Sequence, residues 1–172
     1  AEMPDLVARA KAAGMTVSVD CSFDAEVLAR PDLVALLRGV DVFLPNRAEA
    51  TELARHAPLA DHAPLVVIKD GAQGATAICG ETRLSRPAVA RHVVDTVGAG
   101  DAFNAGFLEA WLETAGSGTT GLMGDKLGDC LDAGAAIAAV ALARSGGARG
   151  LTRLRPGLHA PQVGNGRHQA YP

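Results

Sequence analysis

The sequence predicts an α/β fold in which a mostly parallel sheet is flanked by helices and carries an inserted β-hairpin. Short apolar runs typical of strands alternate with helical segments along the chain. One of these runs, LVVIKDG at 65–71, is nearly continuous, as expected for a parallel strand covered on both faces. Two further runs, ATAICG and TRLSRP, meet at Gly80-Glu81 and predict the hairpin.

Each element has a local sequence signal. Gly14 ends the first helix and Pro45 ends the second strand, because these residues interrupt regular backbone. In the first half of the chain we predict a helix over 4–13, a strand over 15–22, a weak helix over 25–38 with Pro31 as a candidate start of a second segment, a strand over 40–46 and a helix over 47–56. The strand at 65–71 and the hairpin follow, then a strand (ARHVVD) over 90–95 and helices over 100–115 and 125–144. We assign residues 1–150 to this domain and expect residues 151–172 to be a partly disordered tail.

Composition excludes several classes of protein. A length of 172 residues suits one domain, and with 48% apolar but only 3% aromatic residues the core must use small side chains. A net charge of −3 without a dense basic run argues against nucleic acid as a partner. The longest apolar run, Ala133 to Ala143, is about half the roughly 20 residues that span a bilayer. Three cysteines without a CxxC motif predict reduced thiols in the cytoplasm.

The stretch DTVGAGDAF at 95–103 predicts an anion-binding site. A glycine-rich loop leads directly into a helix with an apolar face that includes Phe103, Phe107 and Trp111. The N-terminus of such a helix offers unpaired N–H groups and a positive dipole end, which suit phosphate. Asp101 then has two interpretations: an acid that caps the helix or stabilises its first turn, or a general base beside the phosphate.

Other nucleotide motifs are excluded by spacing. A dinucleotide fingerprint G-x-G-x-x-G would need glycine at position 103, where Phe103 stands, so a nicotinamide-dependent oxidoreductase is not expected. A Walker loop needs G-K, and no GK pair occurs in the chain. The H-R-D triplet of protein kinases is absent as well.

The stretch DTVGAGDAFNAGF resembles the carboxyl-terminal signature of the ribokinase-like carbohydrate kinases of the PfkB type, D-T-x-G-A-G-D-x-F. The resemblance implies a ribokinase-like, Rossmann-like fold and an ATP- and Mg²⁺-dependent transfer of phosphate to a sugar hydroxyl. It also implies that Asp101 is the base that deprotonates this hydroxyl. The backbone of Gly98, Ala99 and Gly100 would form the anion hole for the γ-phosphoryl group.

The pair Asn46-x-x-Glu49 also has two interpretations. From the sequence alone it is a helix cap with its acid at the third helical position. The resemblance implies that both residues help to position Mg²⁺ and phosphate, largely through water, in the oxygen-rich environment that Mg²⁺ prefers.

Further site residues follow from the resemblance. Gly71 and Gly74 would lie against the nucleotide, although a tight turn explains them equally well. Lys69 could reach phosphate, but a lysine at a strand end is more often a solvated charge. Gly134, where the family often has Asn, would let adenine approach the last helix. Asp95 would bind a monovalent cation such as K⁺.

The resemblance covers residues 3 to 150 and only the carboxyl-terminal half of the family's usual chain. Near Asp20, the family's D-x-N strand end has Ser22 in place of Asn, so no role follows for Asp20. Two functions stay open: a carbohydrate kinase, or a truncated and inactive kinase-like domain that binds nucleotide or a protein partner. We expect a sugar and a nucleotide as ligands, and a dimer or a complementing amino-terminal segment as partner. The resemblance implies that the family's amino-terminal half supplies the sugar pocket, so we do not expect this chain to reveal which sugar is used.

Overall fold

The computed structural model describes residues 2–21, 24–90, 92–115 and 125–144, so the predicted tail at 151–172 lies outside the described residues. Its sheet has five strands in sequential order: β1 (Ser18–Val19), β2 (Val42–Phe43), β3 (Leu65–Lys69), β4 (Ala75–Cys79) and β5 (Thr82–Arg86). Strands β1, β2 and β3 pair in parallel, and β4 and β5 extend the sheet as an antiparallel hairpin. The predicted α/β class and the hairpin are therefore confirmed.

Within the described residues, six α-helices connect and cover these strands. They are α1 (Met3–Ala12), α2 (Ala25–Leu28), α3 (Leu33–Leu36), α4 (Arg47–Leu53), α5 (Ala99–Ala115) and α6 (Asp125–Leu142). The weak helix expected over 25–38 is two single turns, because Pro31 between them lacks the N–H that a continuous helix needs. Within the part of the chain described, no helix is long and apolar enough to cross a membrane.

Side chains of the central strands alternate between two apolar cores, one on each face of the sheet. On one face, Leu65 and Val67 of β3 pack with the aromatic residues of α5 and with α6. On the other face, Val66 and Ile68 pack with α1, α4 and the segments between them. This period of two arises because successive strand residues point to opposite faces. Both faces of β3 are thus buried, as its continuous apolar run predicts.

The prediction of a strand over 90–95 is wrong. Residues 87–90 and 92–98, the described part of this segment, contain no strand, and Val93 and Val94 are 56% and 52% exposed. The N–H groups of Val94 and Asp95 donate to the carbonyl oxygen of Leu142 at 2.7 and 3.3 Å. The backbone therefore bonds to the end of α6 and not to a neighbouring strand. Valine pairs favour strands, but a strand also needs a partner beside it.

Candidate functional site

A pocket of about 670 Å³ lies where β1, β2 and β3 end and α5 begins. One half of its lining is polar and comes from the strand ends and α4: Asp20, Cys21, Asn46, Glu49 and Lys69. The other half is mainly apolar and comes from the loop before α5 and from both long helices: Ala88, Ala90, Val93, Thr96, Phe103, Ala138 and Leu142. Ligands of open parallel sheets bind at this carboxyl edge of the strands. The division suits a ligand with one charged end and one flat, apolar end.

The glycine loop leads into α5 as predicted. Gly98 has a φ of +75°, which turns the chain into the helix. In the described part of the chain, the N–H groups of Gly98, Gly100 and Asp101 have no acceptor, whereas that of Ala99 donates to the Thr96 carbonyl oxygen at 3.3 Å. Unpaired N–H groups at a helix N-terminus are donors for an anion.

Asp101 lies on the first turn of α5 and is exposed, beside the pocket and not among its lining residues. Its carboxylate accepts no hydrogen bond and forms no ion pair with the described residues. A capping acid would accept a backbone N–H group, which Asp101 does not do, whereas an acid that only faces the positive end of the helix in its first turn needs no such bond. The carboxylate is available to a group from outside the described chain.

Asn46 and Glu49 form a capping box at the start of α4. The Asn46 side chain accepts the N–H of Glu49 at 3.0 Å, and Glu49 Oε2 accepts the N–H of Asn46 at 2.6 Å. The two residues also line the pocket, and Glu49 is only 2% exposed. No lysine or arginine within the described ranges forms an ion pair with Glu49. A buried carboxylate without a cationic partner is costly and fits a site for a bound cation.

Asp20 joins the ends of two strands to α5, a role that the sequence did not reveal. Its Oδ2 accepts hydrogen bonds from Lys69 Nζ and from Asn104 Nδ2, each at 2.6 Å. Its Oδ1 accepts the N–H of Cys21 at 2.9 Å. The available signal was position: Asp20, Asn46 and Lys69 each stand at the end of a parallel strand, and these ends meet at one edge of the sheet.

The residues around Glu49 fit a divalent cation that prefers oxygen. Ligand atoms of Asp20, Cys21 and Glu49 lie within 4.8 Å of one another. Burial raises the pKa of the Cys21 thiol far above its ordinary value, and its hydrogen bond with Glu49 raises that pKa further. The thiol therefore stays protonated near neutral pH and is a poor ligand. Mg²⁺ binds one or two carboxylates and keeps several waters, so the two acids and not the thiol suit it.

The glycines predicted to contact a cofactor differ in their surroundings. Gly71 and Gly74 line the pocket with φ of +52° and +97°. A Cβ on Gly74 would lie 2.0 Å from the carbonyl oxygen of Arg86, so the turn itself requires glycine there. Gly134 is buried outside the pocket lining, and a Cβ on it would lie 2.9 Å from the ring of Phe103.

Asp95, predicted to bind a monovalent cation, stabilises the loop before α5. Its Oδ1 accepts the N–H of Val97 at 3.0 Å, which closes a short turn, and its own N–H bonds to the end of α6. This turn sets the direction in which the chain enters the glycine loop.

Comparison with known proteins identifies the family. Residues 3–153 match the pfkB family carbohydrate kinase. An uncharacterized sugar kinase from Archaeoglobus fulgidus is 32% identical over 129 residues, which cover 71% of this chain and 48% of the relative.

Solved structures show the same fold. Arabidopsis thaliana ribokinase, complexed with ribose and ATP, matches with a TM-score of 0.63 and 25% identity over 83% of this chain and 46% of its own. A structure from E. coli in complex with ATP and Mg²⁺ matches with a TM-score of 0.63 and 24% identity, over 82% of this chain and 46% of its own. The chain thus spans about half the length of the relatives that it matches. It belongs to the pfkB family of carbohydrate kinases.

Proposed function

We propose that the protein transfers the γ-phosphoryl group of ATP to a hydroxyl group of a sugar or sugar-like substrate. One observation carries the proposal: the Asp101 carboxylate has no partner among the described residues, and it stands at the helix N-terminus where N–H groups also lack acceptors. A base beside an anion site is what phosphoryl transfer to an alcohol requires. The related ribokinase that binds ribose and ATP supports this choice of ligands.

The two halves of the pocket suit the two ends of ATP. We place the adenine in the apolar half, against Phe103 and Val93, and the phosphates in the polar half. Gly71 and Gly74 also line the pocket, and without side chains they would let the nucleotide approach the backbone closely. Gly134 acts indirectly, because its missing side chain gives the Phe103 ring room against α6.

Mg²⁺ would be held at the polar end by Glu49, with Asn46 contributing through water. When bound, the ion supplies positive charge to the phosphate oxygens. Asn46 Oδ1 already accepts the Glu49 N–H group, so the capping box and the ion site share these side chains. The cap fixes the Glu49 carboxylate in the pocket before any ligand binds.

In the reaction, the oxygen of the substrate hydroxyl attacks the γ-phosphorus while the Asp101 carboxylate accepts the proton of that hydroxyl. The new P–O bond forms as the bond to the bridging oxygen of ADP breaks, and that oxygen keeps the bonding electrons. The N–H groups of Gly98, Gly100 and Asp101 stabilise the charge on the transferring group. The N–H of Ala99 contributes only if its bond to Thr96 opens.

The experiment measures ATP–Mg²⁺ binding and substrate-dependent ADP release separately. We expect saturating ATP–Mg²⁺ to raise the melting temperature by several degrees, since binding at 100 times Kd adds about 2.7 kcal/mol. Among a panel of sugars and nucleosides, at least one should accelerate ADP release, and Asp101→Asn should abolish this release but keep the thermal shift. Glu109→Gln, which removes an exposed acid of the same helix, is the matched control. Failure of ATP to bind would refute the proposal.

A second candidate is an inactive domain that binds nucleotide and needs a partner. The chain spans about half of its relatives, and within the described sheet β1 pairs only with β2. An open edge of this kind is a surface on which a second copy or a complementing amino-terminal segment can add a strand. A thermal shift with ATP–Mg²⁺ but no ADP release with any substrate would favour this candidate. Sedimentation velocity separates a dimer from a monomer that lacks its partner.

We propose the cytoplasm as the compartment of the protein, because the free thiols of Cys21, Cys79 and Cys130 suit a reducing environment.

We also propose that a monovalent cation such as K⁺ binds at the Asp95 turn. We expect KCl to raise the melting temperature more than LiCl at equal ionic strength. Asp95→Asn keeps the acceptor for the Val97 N–H group but removes the charge, so it should abolish this difference. An equal effect of both salts on the wild-type protein would argue against the cation site.

A further inference from the structure

Two glycines from different elements lie against the chain that leaves β5. A Cβ on Gly74, in the turn that lines the pocket, would overlap the backbone between the Arg86 carbonyl oxygen and the Ala88 nitrogen. A Cβ on Gly128, in the first turn of α6, would overlap the guanidinium of Arg86. Arg86 thus approaches the pocket turn with its backbone and α6 with its side chain, and both approaches depend on a missing side chain.

The ion pair that Arg86 forms is too exposed to account for this arrangement. Arg86 Nε donates to Asp132 Oδ2 at 3.3 Å, and the two side chains are 33% and 53% exposed. Exposed ion pairs contribute little to stability, because water and salt screen the charges. The more specific feature is the close packing of the guanidinium on Gly128, which is buried in α6. Arginine side chains contribute by packing as well as by charge.

The chain that follows Arg86 forms an apolar wall of the pocket. The pocket residues of this wall are Ala88, Ala90 and Val93. Just beyond the wall, the N–H group of Val94 donates to the carbonyl oxygen of Leu142 at 2.7 Å, and Leu142 is itself a pocket residue of α6. The apolar wall is therefore attached to α6 on both sides, by Arg86 before it and by the Val94 hydrogen bond after it.

We propose that Arg86 is a positioning residue for the nucleoside end of the bound nucleotide. With its guanidinium against Gly128, Arg86 fixes the start of the apolar wall relative to α6, and this sets the width of the space that receives the base. The inference rests on the proposed function, which places adenine in the apolar half of the pocket. A flat base binds there through close contacts, and such contacts lose much of their attraction when a gap of roughly 0.5–1 Å opens.

The first experiment separates the two ends of the nucleotide. Isothermal titration calorimetry with Mg²⁺ present measures the affinities of ATP, adenosine and inorganic tripolyphosphate for the wild-type protein and for Arg86→Ala. We expect Arg86→Ala to weaken the binding of ATP and adenosine by roughly fivefold to twentyfold, because the apolar wall loses close contact with the base. Tripolyphosphate lacks the nucleoside, so its affinity should change by less than about twofold. Equal losses for all three ligands, or no loss for any, would overturn the positioning role.

Gly128→Ala tests the same contact from the side of α6. The end of an arginine side chain can move, so the added methyl group should displace the guanidinium without unfolding the chain. We expect this variant to weaken adenosine binding, although alanine is the better helix former. Because it keeps every charge, it decides the question even if Arg86→Ala does not fold. An unchanged affinity for adenosine in Gly128→Ala would overturn the inference.

The double variant shows whether Gly128 acts through Arg86. In the Arg86→Ala background the space beside Gly128 is empty, so Gly128→Ala should leave the adenosine affinity unchanged and raise the melting temperature. Losses of adenosine affinity of the same size in both backgrounds would mean that Gly128 does not act through Arg86, and the inference would fail.

Arg83→Ala is the matched control. Arg83 is an exposed residue of the same strand and lies outside the pocket lining. Since successive strand residues point to opposite faces, Arg83 and Arg86 lie on different faces of β5. Arg83→Ala removes the same charge and should leave all three affinities unchanged. If it weakens adenosine binding as much as Arg86→Ala does, the contact with α6 is not the cause and the inference is overturned.

The outcomes also separate the two proposals. If the wild-type protein binds ATP and adenosine and Arg86→Ala binds both equally well, only the inference about Arg86 fails. If the wild-type protein binds neither ATP nor adenosine, the proposed function fails together with it.

Discussion

Gly74 is the residue at which backbone conformation and packing both require glycine. Its φ of +97° with ψ of −134° is open almost only to glycine, and a Cβ would lie 2.0 Å from the Arg86 carbonyl oxygen. We expect Gly74→Ala to lower the free energy of unfolding by roughly 2–4 kcal/mol, as strain and overpacking together do. Urea denaturation measures this difference.

Gly71 is the matched control for that substitution. Its φ is +52°, but a Cβ there would meet no atom within 4 Å. Gly71→Ala should therefore cost only about 1 kcal/mol, the strain of a left-handed alanine. Equal costs at the two positions would contradict the packing explanation.

Cys130 should make stability depend on pH in the alkaline range. Burial raises the pKa of its thiol to about 11. The unfolded thiol loses its proton near its ordinary pKa, whereas the folded thiol keeps its proton until about pH 11, so deprotonation favours the unfolded chain between these values. Over this pH range we expect the free energy of unfolding of the wild-type protein to fall by on the order of 1 kcal/mol more than that of Cys130→Ala.

Leu127→Val controls for the lost volume, because Leu127 belongs to the same core cluster and does not titrate. This variant should be less stable at every pH but keep the wild-type slope. A Cys130→Ala slope as steep as that of wild type would exclude Cys130 as the source.

The site residues differ in how far the sequence could predict them. The unpaired N–H groups around Gly100 follow from a glycine loop before an amphipathic helix, and both parts are visible in the sequence. The contacts of Asp20 are not visible, because they join residues 49 and 84 positions apart. Gly134 was expected near the nucleotide, yet its neighbour is the Phe103 ring of another helix. Only the packing of α5 on α6 determines that contact.

At the scale of elements, α4 should depend on its capping box. Asn46→Ala removes the side chain that accepts the Glu49 N–H group, and we expect it to lower the free energy of unfolding by about 1 kcal/mol. Asn46→Ser keeps an acceptor at this position and should lower the free energy of unfolding by only about a few tenths of a kcal/mol. Denaturation without nucleotide or divalent cation isolates the cap from any metal role. If serine costs as much as alanine, the cap is not the source of the loss.

Elements were predictable where local signals and tertiary contacts agree. Helix α5 has an apolar face and buries Phe103, Phe107 and Trp111 as expected. The segment at 90–95 has the residues of a strand but bonds to the end of α6. The backbone hydrogen bonds available in the fold outweigh intrinsic strand propensity. Whether a neighbouring strand is there to pair with cannot be read from the local sequence.

At the scale of the whole molecule, stability should be concentrated at the centre of the described sheet. Strand β3 is hydrogen-bonded to β2 and β4, and its two faces belong to the two apolar cores. Strand β1 pairs over only two residues, with β2 alone among the described strands. An element with few buried contacts and one partner opens locally at a lower free energy than the core does.

Native-state hydrogen exchange measures this difference directly. Amide protons of β3 should exchange only through global unfolding, with the denaturant dependence of the full transition. Those of β1 should exchange through local opening, at a free energy lower by on the order of 2 kcal/mol and with little denaturant dependence. If a second copy or a complementing segment covers the edge, protection of β1 should rise with protein concentration or with added segment, while protection of β3 relative to global stability stays the same. Equal protection of both strands in the isolated chain would mean that it folds as one cooperative unit without a partner.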